Sequence, residues 1–332
     1  VTATSSVPDA APPVLLAPSG PHGVAVYARQ IAAEVVRLEP ATRTMTLDTL
    51  AELPSGTPVH AHVTDRLWGA SPEEAARAVE ALASRHPLTV TLHDVPQESD
   101  GERNRPRRRA FYRAVVEAAR GVVVNSAHER ELLREEGVWN GPVAVVPLPV
   151  ESTPDTSAGP LDDSLGVLGY FYPGKGHDEA LDAAVEAGMT RLTVLGRASD
   201  GHADDLAAFE RRAADRGVRV EVTGWLDDVD MAARVSRVAV PVIAHRHVSA
   251  SGSLASWIGW GRRPLAVRNR YVDEMAALRP GTLSPVDPDA LAAAVSAARA
   301  DPGSTWHGLD RVPFGRADAA RAYLDWWTET RA

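Results

Sequence analysis

The sequence predicts an α/β fold made of two parallel-sheet halves. Three observations predict it. Short apolar runs without polar alternation recur along the chain, as strands buried on both faces require. Helix-periodic segments fall between many of them, the order of a parallel sheet. A polar stretch rich in proline and serine, "ESTPDTSAGPLDDS", separates one such series from another.

The first series opens with "PVLLAP", then "SGPHG", then "VAVYARQIAAEVVRL" with helical apolar spacing. Further strand-like runs are "PVHAHV", "LTVTLHD", "GVVVNS" and "VAVVPLPV", with helices expected over 72–84, 107–120 and 127–136. In the second series the strand-like runs are "LGVLGYF", "LTVLG", "VRVEVTG", "VAVPVIA" and "PLAV". Helices are expected there over 178–187, 203–216, 228–236, 253–260, 271–278 and 288–300, and an amphipathic helix over 317–331 closes the chain. The implied organisation is a disordered leader over 1–13, an N-terminal domain over 14–152 and a linker over 153–163. A C-terminal domain follows over 164–312, then a terminal helix, 313–332, that packs back on the N-terminal domain. Two such sheets facing each other would make a cleft, with chemistry at the carboxyl ends of the strands.

Composition narrows the function. With 44% hydrophobic and 24% charged residues the chain falls in the soluble globular range, and no run approaches the roughly 18 apolar residues of a membrane span. The absence of cysteine excludes disulfides, thiolate catalysis and cysteine-ligated metals, and cytoplasmic residence is the default expectation. A net charge of −9 argues against general nucleic-acid binding. One local exception is "ERNRPRRRAFYR", with six arginines. It is either a solvated loop entering a helix or a basic patch for a phosphorylated acceptor or an anionic membrane surface.

The strand ends carry the candidate chemistry. "APSGPHGVAVYA" is strand, glycine-bearing turn and helix, a geometry that brings backbone N–H groups to an anion, although most such glycines only make the turn. His60 and His62 lie two apart on a strand and share a face; packing or an orientation towards the cleft is preferred to a metal site, since no third ligand is near. Asp65 and Arg66 begin the next loop and are acceptor-side candidates, as is Asp94, which with His93 ends a very apolar strand. In "GYFYPGKGHDEAL" stands Lys175, the only lysine of the chain, between two glycines and before a helix. A flexible point charge at a helix start suits a phosphate or diphosphate. In "AHRHVSASGSLASWIGWG" a Ser-Gly-Ser turn, Ser251 to Ser253, opens another helix; Ser251 is also a plain N-cap candidate. His245 and His247, again two apart, are assigned a non-metal role. The acidic "DDVD" is read as a helix start rather than a metal triplet.

Through "SGPHG", "TLHD", "VVVNSAHERELL", "VAVVPLPV", "LGYFYPGKGHDEAL", "LTVLG", "VTGWLDD" and "SGSLASWIGWGRRPLAV", in that order, nearly the whole chain resembles the retaining GT-B glycosyltransferases. This is the large family of bacterial nucleotide-sugar-dependent enzymes. The resemblance implies two Rossmann-like domains facing across a cleft, with a nucleotide-sugar donor in the second and a carbohydrate, lipid-linked or small-molecule acceptor on the first. It implies no metal and no cofactor beyond the co-substrate. It puts His22 and Gly23 near the donor phosphate, His93 at the transferred hexose and Lys175 on the diphosphate. Gly196, Arg197, Trp225 and Leu226 fall where the base is held; Ser251, Gly252 and Ser253 fall at the distal phosphate and sugar. Peripheral membrane contact would run through 103–113.

Two departures stand out. Tyr170 or Phe171 occupies the place of a usual arginine, and Ser249 and Ser256 stand approximately where two glutamates are usual. The implied reaction is substitution at the anomeric carbon with retention, through an oxocarbenium-like transition state stabilised at the leaving diphosphate. The alternatives are a catalytically degenerate GT-B partner and a nucleotide-sugar epimerase. A dehydrogenase is disfavoured because neither half has the glycine fingerprint followed by a ribose-binding acid.

Overall fold

A computed structural model of the chain describes residues 12–153 and 161–331. Most of the expected leader and residues 154–160 of the expected linker lie outside the described residues.

Two six-stranded, all-parallel sheets form. The first has the order β2 (Thr44–Met45), β1 (Val14–Leu16), β3 (Val59–Val63), β4 (Leu88–Leu92), β5 (Gly121–Val124), β6 (Ala144–Val145). The second runs β12 (Ser284–Val286), β11 (Leu265–Val267), β10 (Val238–Ile243), β7 (Asp162–Leu168), β8 (Arg191–Leu195), β9 (Arg219–Val222). Every residue of β3 and β10 is buried, which is why these strands read as unbroken apolar runs rather than as alternation.

The helices of the first series are α1 (Gly23–Leu38), α2 (Asp65–Trp68), α3 (Pro72–Arg85), α4 (Gly101–Ala118) and α5 (Ala127–Glu135). Those of the second are α6 (His177–Glu186), α7 (Ala203–Asp215), α8 (Asp228–Arg237), α9 (Gly252–Gly259), α10 (Arg270–Leu278) and α11 (Leu291–Ala300), and α12 (Arg316–Arg331) ends the chain. Several starts are fixed by side-chain caps. Ser71, Ser126, Asp227 and Asn269 each accept from the backbone N–H three residues on, at 2.9–3.2 Å.

The chain divides into two compact units. One comprises Val1–Pro147 with Arg316–Ala332, the other Leu148–Gly315. Helix α12 belongs to the first, lying against α1. There the Tyr323 hydroxyl bonds Thr91 Oγ1 at 2.9 Å and stands 3.4 Å from the Tyr27 hydroxyl. In the second unit the buried guanidiniums of Arg262 and Arg279 are satisfied largely by backbone carbonyls. Arg279 ties Leu148 O at 2.5 Å and Pro313 O at 3.1 Å, beside the points where the chain enters and leaves that unit.

The structure departs from the expected elements in several places, β7 among them, which runs Asp162–Leu168 where the apolar run spans 165–171. Helix α4 starts at Gly101 rather than 107 and carries Pro106 within it. The residues expected to open a loop at Asp65 form the single turn α2. The edge strands β2 and β12, of two and three residues, are too short to show any period in the sequence.

Candidate functional site

The site in the second unit is built on two helix starts. Strand β7 ends at Leu168 and the chain turns through Gly169 and Gly174, both at positive φ, into α6, whose N-cap is Gly176 at φ +97°. A Cβ on Gly176 would lie 2.3 Å from the Ala244 carbonyl oxygen, so only glycine allows this approach. Arg246 N–H donates to Gly174 O at 3.1 Å. The loop after β7 is thereby laid along the loop after β10.

Lys175 is 7% exposed and its Nζ donates to Ser253 Oγ at 2.7 Å. Ser253 is the second residue of α9, whose N-cap Ser251 accepts from Leu254 N–H at 3.1 Å. The lone lysine and the Ser-Gly-Ser turn, 78 residues apart, therefore meet. A Cβ at Gly252 would face open space, which leaves the backbone at that helix start approachable. Among the described residues no carboxylate is ion-paired with Lys175, and burial alone pushes it from 10.5 down to about 8. A desolvated ammonium held by one hydroxyl, with the Tyr172 ring centre 5.8 Å away and no carboxylate, is a good anion receptor.

The ends of β8 and β9 adjoin the same turn. Gly196 N–H donates to Thr223 Oγ1 at 3.0 Å and Gly196 O accepts from Gly224 N–H at 3.0 Å. A Cβ on Gly196 would lie 2.3 Å from Gly169 O. Arg197 pairs with Asp200 at 3.0 Å and its guanidinium lies 5.1 Å from the Tyr170 ring centre. Trp225 is 76% exposed, with Leu226 half-buried beside it. The two aromatic residues at the usual arginine position split. Tyr170 is exposed, whereas Phe171 is buried against His177 and Phe209 with ring centres 4.5 and 5.4 Å away. Ser249 is buried and Ser256 half-buried.

In the first unit His22 caps α1, its Nδ1 accepting from Val24 N–H at 3.2 Å, and a Cβ on Gly23 would meet open space. His93, just past the end of β4, is buried with Nε2 3.1 Å from His62 Nδ1. The ring of His60 sits between the hydroxyls of Thr89 and Thr91, each at 3.0 Å. Burial drives His60 and His93 down to about 3 and His62 well below 6.5, with His22 a further influence on His93. All three imidazoles are neutral near pH 7, so one nitrogen of the His62–His93 contact carries the shared proton and the other accepts it. The histidine pair on β3 is packed into this polar network, and among the described residues no group of metal-ligating side chains forms.

The acceptor-side candidates fare differently. Asp65 is buried and its carboxylate is engaged by Arg108 at 3.2 Å, so it is not a free loop acid. Asp94 is exposed at φ +52°, with its carbonyl taking Arg108 at 2.6 Å and the Tyr112 hydroxyl at 3.1 Å. Arg66 is exposed. The arginine-rich segment is helix α4, and most of its charge is committed. Arg105 forks onto Glu136, Arg107 onto Glu73, Arg108 joins Asp65 and Asp100, and Arg113 bonds Gly137 O. It presents far less free charge than its composition implied. The Tyr27–Tyr323–Thr91 network was not signalled by the sequence, because its members lie on α1, α12 and β4.

Residues 9–149 match the family model described as a glycosyl transferase 4-like domain. Sucrose-phosphate synthase from Thermosynechococcus elongatus superposes with a TM-score of 0.63 at 16% identity, covering 93% of this chain and 90% of that one. Anabaena HepE, solved in complex with UDP-glucose, gives 0.62 at 15% identity over 96% and 93% of the two chains. The lipopolysaccharide outer core galactosyltransferase WaaB gives 0.57 at 12% over 95% and 97%. No curated protein matches the chain by sequence. The chain has the GT-B glycosyltransferase fold, two Rossmann-like parallel-sheet domains, and its N-terminal region matches the glycosyl transferase 4-like domains.

Proposed function

We propose that the chain transfers a hexose from a nucleotide-diphosphate sugar to an acceptor with retention of configuration and without a metal ion. The observation that carries this is the convergence of Lys175, Ser253 and the starts of α6 and α9 on one spot. A diphosphate there would meet an ammonium, a hydroxyl and free backbone N–H groups. A bridging Mg²⁺ would call for carboxylate oxygens, and the two in the first turn of α6, Asp178 and Glu179, are engaged by Arg212 and Arg246. Donor complexes of Anabaena HepE with UDP-glucose make such a co-substrate the natural choice.

On this reading Lys175 stabilises the leaving diphosphate, whose departing oxygen takes the proton of the acceptor hydroxyl. His93 contacts the transferred sugar, and Trp225, Leu226, Gly196 and Arg197 hold the base. His22 and Gly23 serve the phosphate from the start of α1. The acceptor is a carbohydrate, a lipid-linked saccharide or a small molecule. Among the described residues no helix is long and apolar enough to cross a membrane.

A second reading, a GT-B partner that binds donor without turning it over, draws on Ser249 and Ser256. Serine can bond sugar hydroxyls, but without the charge-assisted strength of a carboxylate. The test is to incubate the purified chain with UDP-, GDP- and ADP-sugars, following nucleoside diphosphate release and the anomeric configuration of product by NMR. Release with an axial product supports transfer with retention. Binding without any release, to acceptors or to water, supports the silent partner; an inverted product overturns retention.

A further inference from the structure

We infer that His245 is part of the same anion site and grips the ligand's diphosphate as an imidazolium, replacing the cation absent at Tyr170. The inference rests on the nucleotide-sugar reading and names a residue that neither motif nor resemblance singled out for that role.

The placement follows from backbone contacts. Segments 174–176 and 244–246 run side by side, joined by Arg246 N–H to Gly174 O and by the close approach of Gly176 to the Ala244 carbonyl. Lys175 and His245 are the middle residues of these two segments, and each is 7% exposed. The charged neighbour that acts on the His245 ring is Lys175, on the β7–α6 side; His177 nearby is held neutral by burial, which pushes it down to about 3. The carboxylate of Glu179 on α6 is engaged by Arg246, the next residue along. His177 is no competitor for the role. Its ring is packed against Phe171 and Phe209 with both nitrogens sealed from solvent, out of reach of a ligand.

Among the described residues no protein group hydrogen-bonds the His245 ring. His245 is 7% exposed and its ring nitrogens are not sealed from solvent, so an oxygen of an incoming ligand can reach the ring and take the place of water. In the free protein burial and the Lys175 charge hold His245 neutral, well below its ordinary range. A diphosphate brings two negative charges against Lys175 and reverses the balance. His245 then takes one proton from solvent as the ligand docks, becoming a donor to a phosphate oxygen. The pair would supply two cations when the anion is present and one when it is absent.

The experiment is calorimetric titration of the full chain with UDP-glucose, GDP-mannose and ADP-glucose. In these ligands the diphosphate is a diester and does not titrate near neutrality. Each is run at pH 6.5–7 in two buffers of different ionisation enthalpy. With a pKa of about 8, Lys175 is about nine-tenths charged at pH 7, so uptake beyond about a tenth of a proton reports another group. The expected result is proton uptake by the wild type with the sugar nucleotide that binds. His245→Gln should bind about tenfold more weakly, the scale of one charge-assisted hydrogen bond, and show no uptake beyond the Lys175 share. Uptake beyond that share that persists in His245→Gln, or wild-type binding without it, overturns the inference while leaving the donor reading intact. If none of the three ligands binds the wild type, the donor reading fails and the inference with it. The wild-type uptake needs no variant, and His245→Asn gives a second one should the glutamine form fold poorly.

Discussion

Lys175→Met should stabilise the protein while disabling it. The wild type holds a buried ammonium against one hydroxyl, that of Ser253, with the Tyr172 ring centre 5.8 Å away, and burial lowers its pKa from 10.5 to about 8. At roughly 1.4 kcal/mol per tenfold change in protonation, charging that group in the fold costs about 3 kcal/mol relative to the unfolded chain. Methionine has a similar unbranched stem and no charge to desolvate. Loss of the bond to Ser253 offsets about 1 kcal/mol. The net gain at pH 7 is about 2 kcal/mol, or about 4–8 °C in the melting of a unit of this size.

The pH dependence has a definite sign. Between about 8 and 10.5 the unfolded chain binds a proton at Lys175 that the fold does not, so the Lys175 contribution to stability rises with pH across that window and is flat below it. The advantage of Lys175→Met is therefore full at pH 7 and shrinks as pH rises from 8 to 10.5. Adding a nucleotide sugar should invert the order, since a bound ligand stabilises only the form that binds it. Turnover should fall at least tenfold, roughly 1.4 kcal/mol of lost transition-state stabilisation. Denaturant titrations at pH 7 and pH 10 with a transfer assay check all of this. A variant less stable than wild type at pH 7, or one with near-normal turnover, refutes the reasoning.

Three further outcomes are expected. Gly176→Ala should cost about 2 kcal/mol or more in urea unfolding and weaken nucleotide-sugar binding, because φ is +97° and the new Cβ would meet the Ala244 carbonyl. Trp225→Ala should leave stability within about 0.5 kcal/mol, since the ring is 76% exposed, yet weaken nucleotide-sugar affinity about tenfold in calorimetry by removing a stacking surface. Tyr323→Phe should destabilise the first unit by about 1 kcal/mol in thermal unfolding, because its hydroxyl serves Thr91 and lies beside Tyr27.

Much of the fold was legible because its strands are buried on both faces. Runs such as Val238–Ile243 admit no polar residue, and the helices between them keep their period. Boundaries were less legible where a local signal competed. The helix expected from 107 starts at Gly101, where ion pairs from Arg105 to Glu136 and from Arg108 to Asp100 accompany the added turns of α4. The arginine-rich segment looked basic because its partners, Glu73, Asp65 and Glu136, come from other elements.

The candidate site divides in the same way. Residue order alone determined that a single lysine stands between glycines at a helix start, and that a Ser-Gly-Ser turn opens another, because glycine and capping residues act within a few positions of themselves. Only the tertiary structure decided that these two starts share one hydrogen bond, that His245 lies alongside Lys175, and that His93 is held by His62 from the neighbouring strand. Parallel pairing sets which strand ends become neighbours, and that pairing joins residues dozens of positions apart through contacts that no local pattern encodes.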